Sequence, residues 1–318
     1  MLSGIVLVLP ALRSGRAFSW IAYYPRRIIR LYLPVIAAVA LGAALVLLVT
    51  RFQAEGLGAW MNSREHSYTP AGLVRDVVLV FGPSGVISPL WSLRWEVMFS
   101  LLLPIFVAAA ALARGWWWLK LVGAFALIAA GSLTGSPYLF FLPIFAVGAV
   151  LVSEWETLRT YGEHLQASVW AWPAILTAAV LLTTSTWILR GLGVVSADRF
   201  VSWIPVVGVT LFVLAAAFYG PVRRLLERPA VAWLGRVSFS LYLVHEPIII
   251  AARFLTFPAS PWVGVAIAVP IAFLVAWLFA NYVEQPAHRL SKWAGMRVVA
   301  LFHARGETGR GATTVAES

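Results

Sequence analysis

Residues 89–104 read PLWSLRWEVMFSLLLP and place two opposite charges, Arg94 and Glu96, just inside an apolar run that continues through Ala113. A charge at mid-bilayer costs roughly 2.5 to 3.5 kcal/mol, so such a residue usually pairs with another charge or faces a polar cavity. Arg94 and Glu96 are two residues apart and do not face each other on a helix, so each needs a partner elsewhere. The stretch predicts chemistry or transport within a membrane, with a structural ion pair to a neighbouring helix as the alternative.

The composition of the 318-residue chain supplies the bilayer that this argument needs. The chain is 61% hydrophobic and 12% charged, with 16 Trp and 18 Phe, and its mean hydropathy is +0.86. These values lie outside the range of soluble proteins, and no segment has the composition of a water-facing shell. Cysteine is absent, which excludes disulfides, thiolate nucleophiles and Cys-ligated metals. The sequence therefore predicts a polytopic membrane protein.

Eight apolar stretches have about the length that a helix needs to cross a bilayer. They are residues 31–49, 91–113, 116–133, 137–152, 169–189, 200–219, 237–255 and 263–283. Stretch 137–152 is short and contains Pro143, so a tilt or kink is expected there. Residues 1–12 are too short to cross and resemble the second half of a helix. The predicted fold is all-α, a helical bundle with about eight full crossings and a partial N-terminal helix.

The distribution of Lys and Arg predicts which loops face the cytoplasm. Two alternating sets of loops hold 16 and 5 of these residues. The richer set comprises residues 13–30, 114, 153–168, 220–236 and the tail from 284. Because positive charge accumulates on the cytoplasmic side, this set and the C-terminus are expected in the cytoplasm, in a protein of the plasma membrane. Basic loops beside anionic lipid also explain the net charge of +11 without a nucleic-acid partner.

The chain is expected to divide into a membrane domain, residues 1–287, and a basic cytoplasmic tail, residues 288–318. The tail ends in GETGRGATTVAES, which is small and polar and is expected to be disordered. The longest stretch outside the spans, residues 50–88, lies on the outer side in this parse. It leads into the Gly- and Pro-rich sequence GPSGVISP, residues 82–89, which predicts a re-entrant or lid segment.

Three arginines, Arg26, Arg27 and Arg30, follow Pro25 directly before the first span. Pro25 suits the first turn of a helix, and spacings of three and four place arginines on one face. Positive-inside anchoring is one explanation. However, arginines in a first turn oppose the helix macrodipole, whereas an anion there would be bound by free N–H groups and guanidinium groups together. The cluster therefore predicts a site for a cytosolic ligand that carries phosphate.

His245 and Glu246, followed by Pro247, lie near the middle of stretch 237–255. An imidazole and a carboxylate are costly at bilayer depth, and Pro247 frees the carbonyl of Leu243 from its helical bond. The pair is therefore a candidate for function, with a structural role as the alternative. The other histidines fall in loops or in the tail without ligand spacing, so no metal site is expected.

Four segments, in their order along the chain, resemble acyltransferase family 3, whose integral membrane proteins O-acylate sugars, cell-wall polymers, lipids and macrolide-type products. The segments are LSGIVL with PRRIIRLYLP, PLWSLRWEVMFSLLLPI, WLGRVSFSLYLVHEPI and VEQPAHRL. The resemblance implies a ten-helix fold that takes an acyl group, commonly acetyl, from cytosolic acyl-CoA as co-substrate. It passes this group to a hydroxyl of an acceptor that is usually extracytoplasmic, here expected to be a carbohydrate. No bound cofactor is implied.

The resemblance also assigns residues. The family's R-x-x-R motif corresponds to Arg27 and Arg30, and the glutamate of its W-S-L-x-x-E motif to Glu96. In the resulting hypothesis, the three arginines hold the phosphates of acyl-CoA, the thioester reaches toward Glu96, and a histidine deprotonates the acceptor hydroxyl. Ser92, Arg94 and Glu246 are further intramembrane polar candidates.

The family's essential histidine lies in a first helix, eleven positions after a basic residue, and residues 2–4 match the second helix. We expect DNA upstream of Met1 to encode that first helix, and His245 is the second choice for the base. Two other functions remain open. One is a proton-coupled transporter or flippase that uses Arg94, Glu96, His245 and Glu246. The other is an inactive truncated paralogue.

Overall fold

The computed structural model describes residues 1–13, 18–112, 115–194 and 198–315. Every regular element in these ranges is helical, and they contain no strand. The α-helices are α1 (Leu2–Arg13), α2 (Trp20–Leu48), α3 (Gly58–Asn62), α4 (Pro70–Val78), α5 (Leu90–Leu101), α6 (Leu103–Ala111), α7 (Trp117–Thr134), α8 (Pro137–Ser153), α9 (Trp155–Leu165), α10 (Ala171–Gly191), α11 (Asp198–Val201), α12 (Ile204–Phe218), α13 (Gly220–Leu226), α14 (Pro229–Thr256), α15 (Pro261–Phe279) and α16 (Gln285–Val315). A 3₁₀ turn, Glu55–Leu57, precedes α3, and a π-helical turn, Ala280–Glu284, joins α15 to α16.

The prediction of an all-α membrane bundle is confirmed. In the described part of the chain, six helices are long and apolar enough to cross a membrane, and eight crossings result if each of two bent helix pairs is one span. The first pair is α5 and α6, which meet at 63°, and the second is α8 and α9, which meet at 78°. Pro104 stands in the first turn of α6, just after the first bend, where a residue without an N–H group is best tolerated.

The chain forms two compact units. The first comprises Met1–Phe18 and Met98–Ala232. In it α1 packs against α6 and α8, α7 against α8, and α10 against α12. Ile128, Val147 and Leu151 are in its buried core.

The second unit comprises Ser19–Val97 and Trp233–Ser318, and it contains every predicted site residue. Its core draws on α2, α5, α14 and α15, with Val35, Ile87, Leu243 and Ala268 fully buried. Helix α16 packs along α2 in the same unit. All predicted residues of the candidate site therefore belong to this second unit.

Helix α2 begins eleven residues before the predicted start of its apolar stretch. Ser19 is its N-cap and accepts a hydrogen bond from the backbone N–H of Ala22 at 3.3 Å. Pro25 is consequently inside the helix, and Arg26 to Arg30 lie in its second and third turns. The prediction that these arginines adjoin the free N–H groups of a first turn was wrong, because the serine cap sets the helix start earlier.

The stretch between α2 and α5 runs back along α2. The hydroxyl of Tyr32 donates to the backbone carbonyl of Val78, at the end of α4, across 3.1 Å. Tyr32 lies sixteen residues before Leu48, which is about 24 Å along the axis of α2. After α4, Val86 and Ile87 are buried in the core of the unit. Residues 70–88 thus belong to this core, as expected of a re-entrant segment, and not to a loop confined to one end of α2.

Helix α16 crosses the predicted boundary between domain and tail. It begins at Gln285, and its backbone continues to Val315. The boundary at residue 287 falls in its first turn. The last three residues of the predicted tail lie outside the described residues, so the division into domain and tail stays a prediction.

Candidate active site

Three polar residues recur every fourth position where the chain enters α5, with Ser88 two residues before the helix and Ser92 and Glu96 on it, and each meets a polar partner from another part of the unit. Glu96 meets Arg27, Ser92 meets Tyr242, and Ser88 meets Glu246. Ser92 and Glu96 are four residues apart, so they share a face of α5 and are about 6 Å apart along its axis. We call these three pairs the polar ladder.

The order of the pairs shows how the two helices run. Ser88 precedes Ser92 in the chain, whereas its partner Glu246 follows Tyr242, so α5 and α14 are antiparallel at the ladder. Glu96 is then one turn beyond the middle pair in the direction away from Glu246. The ladder therefore extends from the ion pair of Arg27 to the buried carboxylate of Glu246.

The first pair of the ladder is an ion pair. Nη2 of Arg27 donates to Oε2 of Glu96 at 2.8 Å, and their side chains are 15% and 27% exposed. Glu96 thus has the partner on another helix that its position required. Arg27 is turned toward α5, so the structure separates it from its neighbours Arg26 and Arg30, which are exposed.

The middle pair joins two hydroxyl groups. Oγ of Ser92 and the phenol oxygen of Tyr242 are 2.7 Å apart. The Tyr242 hydroxyl also donates to the carbonyl of Pro89 at 2.8 Å. Because Tyr242 donates its proton to this carbonyl, the Ser92 hydroxyl is the donor between the two side chains, and both hydroxyls are satisfied. Both protons are thus used within the unit, and the two hydroxyls form a closed polar contact at the centre of the ladder.

The third pair anchors the buried carboxylate of Glu246. Its Oε2 accepts from the backbone N–H of Ser88 at 2.6 Å, and its Oε1 accepts from the hydroxyl of Ser88. Arg64 lies 3.3 Å from Oε1 and supplies the compensating charge. Arg51 is a second cation near this carboxylate. Burial and the charge of Arg64 lower the pKa of Arg51, whereas the negative charge of Glu246 raises it. Glu246 is therefore a satisfied anchor for the end of the re-entrant segment.

His245 adjoins the middle pair and has a defined hydrogen-bonding pattern. Its Nδ1 lies 3.0 Å from the backbone carbonyls of Leu241 and Tyr242. Carbonyl oxygens only accept, so Nδ1 carries a proton, and in the neutral ring the lone pair is on Nε2. Within the described residues Nε2 has no hydrogen-bond partner. The ring is half-buried and lies 6.1 Å from the ring of Tyr242. This arrangement suits a proton acceptor.

The remaining predicted residue, Arg94, lies outside the ladder. Its guanidinium carbon is 5.2 Å from the ring centroid of Trp95, at cation–π distance. Arg94 and Glu96 point to different partners, as their spacing predicted.

A second buried carboxylate, Asp76, fixes the re-entrant segment and was not predicted from the sequence. Asp76 is fully buried. It accepts hydrogen bonds from the Tyr68 hydroxyl, from the backbone N–H of Ser84 at 2.5 Å and from the Ser84 hydroxyl at 2.8 Å. Burial and the hydrogen bond to Asp76 raise the pKa of Tyr68, so its hydroxyl stays protonated. These bonds hold residues 82–89 in the conformation that brings Ser88 to the ladder.

The motif VEQPAHRL also contributes a buried polar pair. The hydroxyl of Ser240, fully buried in α14, donates to Oε2 of Glu284 at 2.6 Å. Glu284 closes the π-helical turn before α16. Such turns recur at functional sites because they displace side chains from the ordinary helical register. Among the described residues, no three His, Asp or Glu side chains converge as metal ligands do.

Comparison with known proteins identifies the family. The model of the acyltransferase domain of acyltransferase family 3 matches residues 1–281. The chain belongs to acyltransferase family 3. Members are membrane acyltransferases, and the matched range includes LSGIVL, PRRIIRLYLP, PLWSLRWEVMFSLLLPI and WLGRVSFSLYLVHEPI, whereas VEQPAHRL, residues 283–290, follows it. No curated protein and no solved structure matches the chain.

Family membership gives the ladder its context. Glu96, which the resemblance matched to the family's glutamate, lies in the ladder, whereas the two arginines matched to the R-x-x-R motif diverge, with Arg27 in the ladder and Arg30 exposed. Ser88, Arg64, Tyr242 and Asp76 were not predicted as site residues. The four-residue spacing of Ser88, Ser92 and Glu96 is the sequence signal that could have indicated the first of them.

Proposed function

We propose that this family 3 protein transfers an acyl group, expected to be acetyl, from cytosolic acyl-CoA to a hydroxyl of a carbohydrate acceptor at the cell envelope. The observation that carries the proposal is the polar ladder, which connects the arginines of α2 to His245 through the apolar core. A phosphate-bearing donor would bind at the arginine end, and its thioester would enter beside Arg27 and Glu96.

His245 supplies the base in this proposal. Its Nε2 takes the proton of the acceptor hydroxyl as the oxygen attacks the thioester carbonyl carbon. The carbon–sulfur bond then breaks, and the leaving thiolate takes the proton back from the imidazolium, which gives free coenzyme A and an ester. No proton is gained or lost overall.

The other members of the ladder orient the reactants. The Ser92 hydroxyl, by turning its proton away from Tyr242, would donate a hydrogen bond to the oxygen that becomes negative in the transition state, the kind of stabilisation that is worth most in a site with little water. Glu96 holds the guanidinium of Arg27 at the entrance. Glu246 and Arg64 fix the end of the ladder by satisfying each other's charge.

The test is transfer by purified protein in liposomes that hold envelope carbohydrate and receive radiolabelled acetyl-CoA. We expect label in an alkali-labile ester on the carbohydrate and release of free thiol. Movement of carbohydrate or protons across the bilayer without ester formation would support the transporter alternative. Absence of both activities would support an inactive paralogue.

A further inference from the structure

Helix α16 brings cationic side chains to the arginine end of α2. Arg26 and Arg30 are exposed and one turn apart on α2, and Lys292 is exposed on α16. His288 lies within electrostatic range of both Arg30 and Lys292. We call Arg26, Arg30 and Lys292, together with the imidazole of His288 beside them, the two-helix cationic face; its positive charge comes from Arg26, Arg30 and Lys292 alone.

The pairing between the helices is antiparallel. Arg26 lies against Gly295, whereas Arg30 is near His288 and Lys292, so an increase of four residues on α2 corresponds to a decrease on α16. The offsets of three and seven residues on α16 match one to two helical turns. The cationic face is therefore formed by two helices that pack along each other and not by one flexible terminus.

Gly295 permits this packing. A Cβ at residue 295 would lie 2.1 Å from Nε and 2.5 Å from Cγ of Arg26, both far inside van der Waals contact. The stem of Arg26 thus rests on the backbone of α16. This contact limits the positions that the guanidinium can take.

The charge of the face is not compensated by carboxylates. In the part of the chain that the structure describes, none of Arg26, Arg30 and Lys292 forms an ion pair with Asp or Glu, whereas Arg27, between the two arginines, pairs with Glu96. Neighbouring cations repel one another, and a bound anion relieves that repulsion. Arginine forks and a lysine ammonium are the groups that bind phosphate in proteins.

We propose that the two-helix cationic face binds the phosphate groups of the acyl donor, with Lys292 and His288 of α16 as ligands and without Arg27. This inference rests on the proposed function for the identity of the donor. The shared chemistry is a phosphate, which could belong to a soluble donor or to a phospholipid headgroup, and the experiment separates these two sources.

The experiment measures the Kd of radiolabelled coenzyme A for the whole protein in nanodiscs of phosphatidylcholine. We expect Lys292→Gln to raise this Kd about tenfold, as loss of one charge-assisted contact does. The KM of acetyl-pantetheine, which lacks the nucleotide phosphates, should not change. Arg297→Gln is the matched control, because Arg297 is on the same helix with its guanidinium 5.4 Å from the ring of Trp293.

Gly295→Ala provides an independent variant, because it is on α16 but acts on Arg26 of α2. Displacing the Arg26 stem should raise the Kd of coenzyme A as Arg26→Ala does, and combining the two substitutions should add little. An unchanged Kd for Lys292→Gln would overturn the proposal even if Gly295→Ala fails to fold.

The two phosphate sources give different results. If Lys292→Gln reduces retention of phosphatidylglycerol in mixed nanodiscs and leaves the Kd of coenzyme A unchanged, the face binds lipid and the donor assignment is wrong. If binding of coenzyme A depends on Lys292 but the wild-type protein transfers no acyl group, the phosphate site stands and the proposed function fails.

Discussion

Arg27 and Glu96 form an ion pair between residues 69 positions apart, with Nη2 and Oε2 separated by 2.8 Å. The pair joins two segments that are far apart in sequence, the arginine cluster of α2 and the middle of α5. It gives adjacent arginines different tasks. Arg27 neutralises a carboxylate inside the unit, whereas Arg26 and Arg30 remain exposed for a ligand.

The first prediction is that Arg27 stabilises the fold, whereas Arg30 binds the acyl donor. Arg27→Ala leaves Glu96 without its cation and should cost about 2 kcal/mol of stability, since the pair is only partly exposed. Arg30→Ala should leave thermal stability unchanged and weaken binding of acyl-CoA. Thermal unfolding in detergent and binding of coenzyme A measure the two effects. If Arg27→Ala and Arg30→Ala lost the same amount of coenzyme A binding and had the same stability, the two arginines would not have different roles.

The second prediction concerns the base. In His245→Asn the amide nitrogen can replace Nδ1 as donor to the carbonyls of Leu241 and Tyr242, but the proton-accepting nitrogen is lost. Folding and binding of coenzyme A should be retained, and transfer should fall by about 100-fold or more. Ser238→Ala, an exposed substitution on the same helix, is the control. Full transfer by His245→Asn would assign the base to another histidine.

The third prediction tests the anchor of the re-entrant segment. Tyr68→Phe removes one donor from buried Asp76 and should lower the free energy of unfolding by about 1 to 3 kcal/mol. Tyr282→Phe, at an exposed tyrosine, should have no effect. Because folding raises the pKa of Tyr68 above its unfolded value of about 10, the wild-type protein should lose this contribution as the pH rises past 10. A pH-independent difference between Tyr68→Phe and wild type up to pH 11 would contradict this assignment.

The fourth prediction tests the membrane topology, which follows from the loop charges. The chain has no cysteine, so single cysteines report location directly. Ser318→Cys should react with an impermeant maleimide only after the cells are permeabilised, whereas Glu55→Cys should react in intact cells. Labelling of Ser318→Cys in intact cells would place the C-terminus outside and remove the cytosolic access that the donor needs.

The helical class and a number of crossings within the observed six to eight could be predicted, because apolar length depends on local sequence. The break before Pro104 was not predicted, since residues 91–113 form one continuous apolar stretch. The start of α2 could not be read from hydropathy, since residues 20–30 combine aromatic and basic residues and Ser19 sets the boundary. The fold of residues 70–88 depends on contacts with Tyr32 and Glu246, which are distant in sequence. Of the site, Glu96 and His245 were found because charge is rare in apolar stretches. Ser88 and Tyr242 are common residues whose importance comes only from their partners.

Acyl transfer by the Glu96→Gln variant is the sharpest test of whether the polar ladder belongs to the active site. The amide keeps the size of the carboxylate and can still accept a hydrogen bond from Arg27, so it removes only the charge that fixes the guanidinium at the entrance to the ladder. We predict normal insertion and normal binding of coenzyme A, a loss of stability smaller than that of Arg27→Ala because the amide still accepts from Arg27, and transfer lowered by about 100-fold or more. A loss of about 3 kcal/mol of stability would instead identify a structural ion pair. Normal transfer rates in a well-folded Glu96→Gln protein would contradict the account and remove the ladder from the active site.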